Sequence, residues 1–208
     1  MVPVPVAAAY FHEEMCEMKP PEGWQPKHSK DFYYPKVTVV ASHEGQVARA
    51  TQFRDVIRRL SHQDVELAFI SKTKLKTGDR TYIPDVVGNV EGRKCILVDD
   101  IVNTGTTLQT NVSRLSELGA DGIYAWSTHG VFGPPGSVKT IDKIDAIEGL
   151  QYLLISNSIM NSSKLPPKIR QLNIAPLMAE AIARALHNQP ISGILNLEEM
   201  RGIERYDG

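Results

Sequence analysis

Residues 96–107, Ile-Leu-Val-Asp-Asp-Ile-Val-Asn-Thr-Gly-Thr-Thr, join an apolar run, two adjacent carboxylates and a cluster of hydroxyls around a glycine. Asp99 and Asp100 offer only acceptors, which suits the vicinal hydroxyls of a ribose or a magnesium ion bridging to phosphate. Thr104, Thr106 and Thr107 add hydroxyls, and Gly105 frees the backbone to turn. A helix beginning near Leu108 would present unpaired amides and its positive end to an anion. Helix capping alone accounts for one acid and one threonine; here six polar or small groups stand together. The spacing fits a ribose 5-phosphate group.

Such a site needs a strand to deliver it. Residues 96–98 read as a buried parallel strand, with Asp99 and Asp100 emerging at its carboxyl end, where open α/β sheets bind ligands. Upstream, residues 37–40 read as a first strand, 46–60 as a helix and 65–70 as the next strand, a βαβ beginning. Residues 71–79 are polar, lack a sustained apolar period and read as a loop. Strands over 86–90 and 95–98 follow. Leu108, Val112, Leu115 and Leu118 share helical spacing and end at Gly119. A strand over 123–127, a short helix over 141–147, strands over 152–155 and 169–174 and a helix over 176–186 complete the alternation. The expected fold class is α/β, an open, mostly parallel sheet with helices on both faces.

Composition narrows the function. The chain has 208 residues, 42% hydrophobic and 23% charged, enough for one sizeable domain. A net charge of -1 excludes a general nucleic-acid binder, whose phosphate contacts demand a basic surface. Two cysteines, Cys16 and Cys95, are too few for a disulfide framework and read as reduced, cytoplasmic thiols. The apolar opening lacks a basic flank and is too short to span a bilayer, so neither a membrane nor a targeting role is expected.

The 96–107 run resembles the loop that binds phosphoribosyl diphosphate (PRPP) in the type I phosphoribosyltransferase fold. Thr128-His129-Gly130-Val131-Phe132, then 173–182 (Asn-Ile-Ala-Pro-Leu-Met-Ala-Glu-Ala-Ile) and His187-Asn188, are similar to the C-terminal half of the ribose-phosphate diphosphokinase (PRPP synthetase) family. The similarity covers roughly residues 37–197. It implies a phosphoribosyltransferase-like domain over 37–190, an N-terminal segment, 1–36, near the family's inter-domain boundary, and a tail over 191–208. The activity implied is transfer of diphosphate from ATP to ribose 5-phosphate, with Mg2+, in nucleotide biosynthesis.

Carried onto this sequence, the resemblance assigns substrate binding to Asp99, Asp100, Asn103, Thr104, Gly105, Thr106 and Thr107. Lys72 and Lys74 become the catalytic cations over the transferring diphosphate, and Asp99, Asp100 and His43 the metal-associated groups. The sequence departs from the family at four places. His43 replaces an aspartate; in the loop Asn103 replaces the third aspartate and Thr106 stands where glycine is usual; Lys74 replaces an arginine that would grip phosphate in a fork; and residues 187–192 are one residue shorter than the family pattern around its regulatory phosphate-binding serines. Two rivals follow: a non-catalytic, synthetase-associated binding subunit, and a transferase that uses PRPP with another nucleophile. Ile191, Ile194, Leu195 and Leu197 form an apolar tail that predicts a homo-oligomer or association with a related subunit.

Overall fold

A computed structural model describes residues 3–26, 28, 32–74, 82–133, 138–161 and 164–192. Seven strands form one sheet in the order β3-β2-β1-β4-β5-β6-β7. They are β1 (Val37–Ala41), β2 (Val65–Lys74), β3 (Tyr82–Val87), β4 (Lys94–Val102), β5 (Ile123–Gly130), β6 (Leu150–Ser156) and β7 (Ile169–Leu172). All neighbours are parallel except β2 and β3. Helices α1 (Val4–Cys16), α2 (Val47–Ser61), α3 (Thr106–Glu117), α4 (Val138–Asp145) and α5 (Ala175–Leu186) cover it. The expected α/β class is observed.

Strand alternation divides the core into two layers. Cys95, Leu97, Ile123, Ala125, Leu153 and Ile155 face the side of α3 and α4, where Leu108, Val112, Leu115 and Ile144 pack. Ile96, Val98, Tyr124, Trp126, Tyr152 and Leu154 face α1 and α2. Because central strands are buried on both faces, they read as continuous apolar runs.

The Pro-rich N-terminal stretch contributes a core helix. Pro5 in the first turn needs no amide partner there, and Val4, Ala7, Ala8, Phe11 and Met15 bury one face. Phe11 stacks on Tyr152 with ring centres 5.6 Å apart and meets Phe53 of α2 edge-on at 5.8 Å.

Several boundaries differ from the sequence reading: β5 runs on to Gly130 rather than 127, α4 spans Val138–Asp145 rather than 141–147, and the last strand ends at Leu172 rather than 174. Residues 71–74, read as loop, continue β2: Ser71 pairs with Asp85, Lys72 with Pro84 and Lys74 with Tyr82. A hairpin satisfies its backbone by pairing, so it needs no apolar period; residues 75–81 lie outside the described set. The strand expected over 86–90 instead ends at Val87, because Gly88, at φ +124°, passes so close to Ala68 that a Cβ would stand 2.6 Å from its Cβ. Finally, β4 runs past Val98 to Val102, since Asp99, Ile101 and Val102 still pair with Ser127, His129 and Gly130. Asp99 and Asp100 therefore lie within β4, beyond the point where β1 stops.

Candidate functional site

The site forms where β4 passes into α3. Gly105 takes a left-handed turn, φ +70°, and is the N-cap of α3. The first helical bond runs from the Gln109 amide to the Gly105 carbonyl, which leaves the amides of Thr106, Thr107 and Leu108 without helical partners. Glycine is required here for a second reason: a Cβ would stand 3.0 Å from Ile144 Cγ1 on α4. Helix α4 is thus seated directly against the turn.

A cavity of about 130 Å³ opens beside this turn, lined by Asp99, Ile101, Asn103, Thr104, Gly105 and Thr107 among others. It is smaller than the ~300–1,000 Å³ that enclose whole ligands, a size suited to one group such as a phosphate. Thr104 Oγ1 donates to Thr106 Oγ1 at 3.3 Å, and Lys143 Nζ of α4 donates to the same hydroxyl at 2.8 Å.

The two carboxylates have different surroundings. The two carboxyl groups lie within hydrogen-bond reach of each other; Asp99 also lines the cavity, while Asp100 meets α2, its Oδ2 3.6 Å from Arg49 Nη1. Burial pushes the Asp99 carboxyl above the ordinary carboxylate value, although the Asp100 amide donates to its Oδ1 at 2.9 Å. Burial also pushes Asp100 upward, but the Gln46 side chain, Asp99 and the Arg49 guanidinium outweigh it and hold Asp100 low.

His43 caps the 3₁₀ turn Glu44–Gln46: its Nδ1 accepts from the Gly45 amide at 3.1 Å, and its Nε2 lies 4.0 Å from Asp99 Oδ1. His43 Nε2 also lies 3.4 Å from Gln46 Nε2, so both ring nitrogens have partners. Among the described residues no three of His, Cys, Asp or Glu form a group that could hold a metal ion alone. Asn103 Oδ1 accepts from the Gly133 amide at 3.0 Å, so that oxygen fastens the turn after β5. His129 Nδ1 lies 2.7 Å from Ser158 Oγ, which in turn donates to the Thr128 carbonyl at 3.2 Å. Gly130 is held by packing, since a Cβ would stand 2.6 Å from Ile155 Cδ1 and 2.8 Å from the Phe132 ring.

The structure therefore brings Asp99, Asn103, Thr104, Gly105 and Thr107 to one cavity, with Thr106 beside it and Asp100 and His43 behind. Lys72 and Lys74 occupy positions on β2, two strands from β4. Sequence reasoning missed Arg49 and Lys143. Arg49 carried a signal: a cation in the first turn of α2 opposes the helix dipole unless an acid offsets it. Lys143 carried none, because its helix is distant in sequence.

The sequence pattern of the phosphoribosyl synthetase-associated domain matches residues 69–196. A ribose-phosphate pyrophosphokinase of Mycobacterium leprae is 32% identical over 164 residues, covering 78% of this chain and 47% of that protein. One from Clostridium perfringens is 33% identical over 163 residues, covering 76% and 46%. The chain spans about half the length of the curated relatives it matches. Among solved structures, phosphoribosylpyrophosphate synthetase from Mycobacterium smegmatis is similar with a TM-score of 0.67 at 26% identity, covering 89% of this chain and 51% of that one.

Proposed function

Because the chain belongs to the phosphoribosyl synthetase-associated domain family, we propose that it is the ribose 5-phosphate-binding, C-terminal part of a ribose-phosphate diphosphokinase. The reaction is ATP plus ribose 5-phosphate giving PRPP plus AMP, a step of nucleotide biosynthesis. The observation that carries this reading is the cavity lined by Asp99, Thr104 and Thr107 at the open end of α3.

Attack of the ribose 1-hydroxyl on the β-phosphorus of ATP asks little covalent chemistry of the protein, so placement and charge neutralisation carry the rate. Thr104, Thr106 and Thr107, with the free amides of the first helical turn, hold the 5-phosphate. Asp99 accepts from the ribose hydroxyls, and Asp100, kept ionised by the Gln46 side chain, Asp99 and Arg49, holds the local charge negative. Lys72 and Lys74 neutralise the transferring diphosphate. Mg2+ fits a pair of adjacent carboxylate donors better than a three-residue cage, because it commonly takes one or two carboxylates and completes its shell with phosphate oxygens and water; bound there, it would neutralise phosphate charge.

A second reading, a non-catalytic subunit that binds ribose phosphate, is favoured by the Arg49–Asp100 pair and by the commitment of His43 Nδ1 to its own turn. No helix among the described residues is long and apolar enough to cross a membrane. Cys16 and Cys95 are free thiols, in keeping with a reducing, cytoplasmic setting.

Calorimetric titration with ribose 5-phosphate tests the reading: the chain should bind it, and Thr106→Leu with Thr107→Leu should abolish binding. Unchanged affinity in that double variant contradicts the assignment. AMP formation from ATP, Mg2+ and ribose 5-phosphate by the pure chain then separates the two readings, since only a catalytic chain makes it.

A further inference from the structure

Lys143 projects from α4 onto the phosphate turn and finds there only a neutral acceptor. Its Nζ donates to Thr106 Oγ1 at 2.8 Å, and among the described residues no carboxylate pairs with it. The contact is built in, because Ile144, the next residue, is fully buried and packs against Gly105. Its position fixes the ammonium at the first residue of α3, where three backbone amides already lack helical partners. An ammonium satisfied by one hydroxyl keeps two donors and its full charge available. The neighbouring cavity is sized for one compact group.

We propose that Lys143 is the cationic ligand of the 5-phosphate, moving a donor from Thr106 Oγ1 to a phosphate oxygen when ligand arrives. This rests on the ribose 5-phosphate reading above and adds its specificity: the site then selects a dianionic phosphomonoester over a neutral sugar. Thr106 acts as the resting acceptor that keeps the lysine aimed at the turn. A charge-assisted hydrogen bond to phosphate is among the stronger polar contacts, so its loss should be plain in the affinity.

The test is calorimetric titration of the wild-type chain, Lys143→Met and Lys143→Arg with ribose 5-phosphate at low and high salt. Expected are an affinity loss of about ten-fold or more for Lys143→Met, recovery of most of it in Lys143→Arg, and a shallower salt dependence in Lys143→Met because one screened charge is gone. A merely structural lysine would change neither the salt dependence nor the arginine rescue. Wild-type binding with an unchanged Lys143→Met affinity overturns the role of Lys143 and leaves the ribose phosphate reading standing. No binding to the wild-type chain overturns both.

Discussion

Arg49 on the first turn of α2 stands 3.6 Å from Asp100 on β4, and the two neighbouring carboxylates behave oppositely. Asp100 is held below the ordinary carboxylate value, whereas burial raises Asp99. A single strand step thus separates a firmly ionised acid from one whose charge is costly.

The sign of the pH dependence follows. A raised value in the folded state means that ionised Asp99 costs stability above the unfolded value of about 3.9, a cost that vanishes as the pH falls below it. Asp100, held low, contributes stability above that value and loses it as the pH falls through its folded value. Asp99→Asn should therefore raise the melting temperature at pH 7 by about 2–4 °C, the shift of roughly 1 kcal/mol in a chain of this size, and the gain should fade below about pH 4. Asp100→Asn should lower it slightly, because a half-exposed pair is worth at most about 1 kcal/mol. Calorimetric melting between pH 3 and pH 8 reads both signs.

The turn at Gly105 should be intolerant of a side chain. Gly105→Ala meets both a positive φ and Ile144 Cγ1 at 3.0 Å, so urea denaturation should show a loss of about 1–3 kcal/mol. Ile144→Ala, which removes Cγ1, should therefore cost less stability in the Gly105→Ala background than in the wild type. Strict additivity of the two changes would show that the turn and α4 are not in contact.

Helix α5 carries Met178, Ile182 and Leu186 at helical spacing and exposed, with Ile191 beyond them also exposed. Each such side chain forfeits roughly 1.5–3 kcal/mol relative to full burial. Self-association through this face is the expected outcome, with a related subunit as the alternative partner. Ile182→Ser with Leu186→Ser should shift sedimentation toward the monomer. A wild-type chain that stays monomeric at high concentration contradicts the expectation. The apolar tail residues Ile194, Leu195 and Leu197 lie outside the described set.

The β4–α3 passage was legible because three apolar residues, a glycine and the Leu108, Val112, Leu115 spacing each state a local rule. Helix α1 was masked by its prolines, although Val4, Ala8, Phe11 and Met15 already had helical spacing. The β2 extension through Lys74 was invisible to hydropathy, since its partner strand, not an apolar face, supports it. Arg49 and Lys143 reach the site across the fold from helices far away in sequence, and no local pattern announces such contacts.

The most direct measurement of the central claim is an amide NMR titration of the chain with ribose 5-phosphate. The largest saturable shifts are expected at the backbone amides of Thr106, Thr107 and Leu108, which lack helical partners at the open end of α3. Saturable binding that shifts amides elsewhere and leaves these three unmoved, or no saturable shift at all, would contradict it.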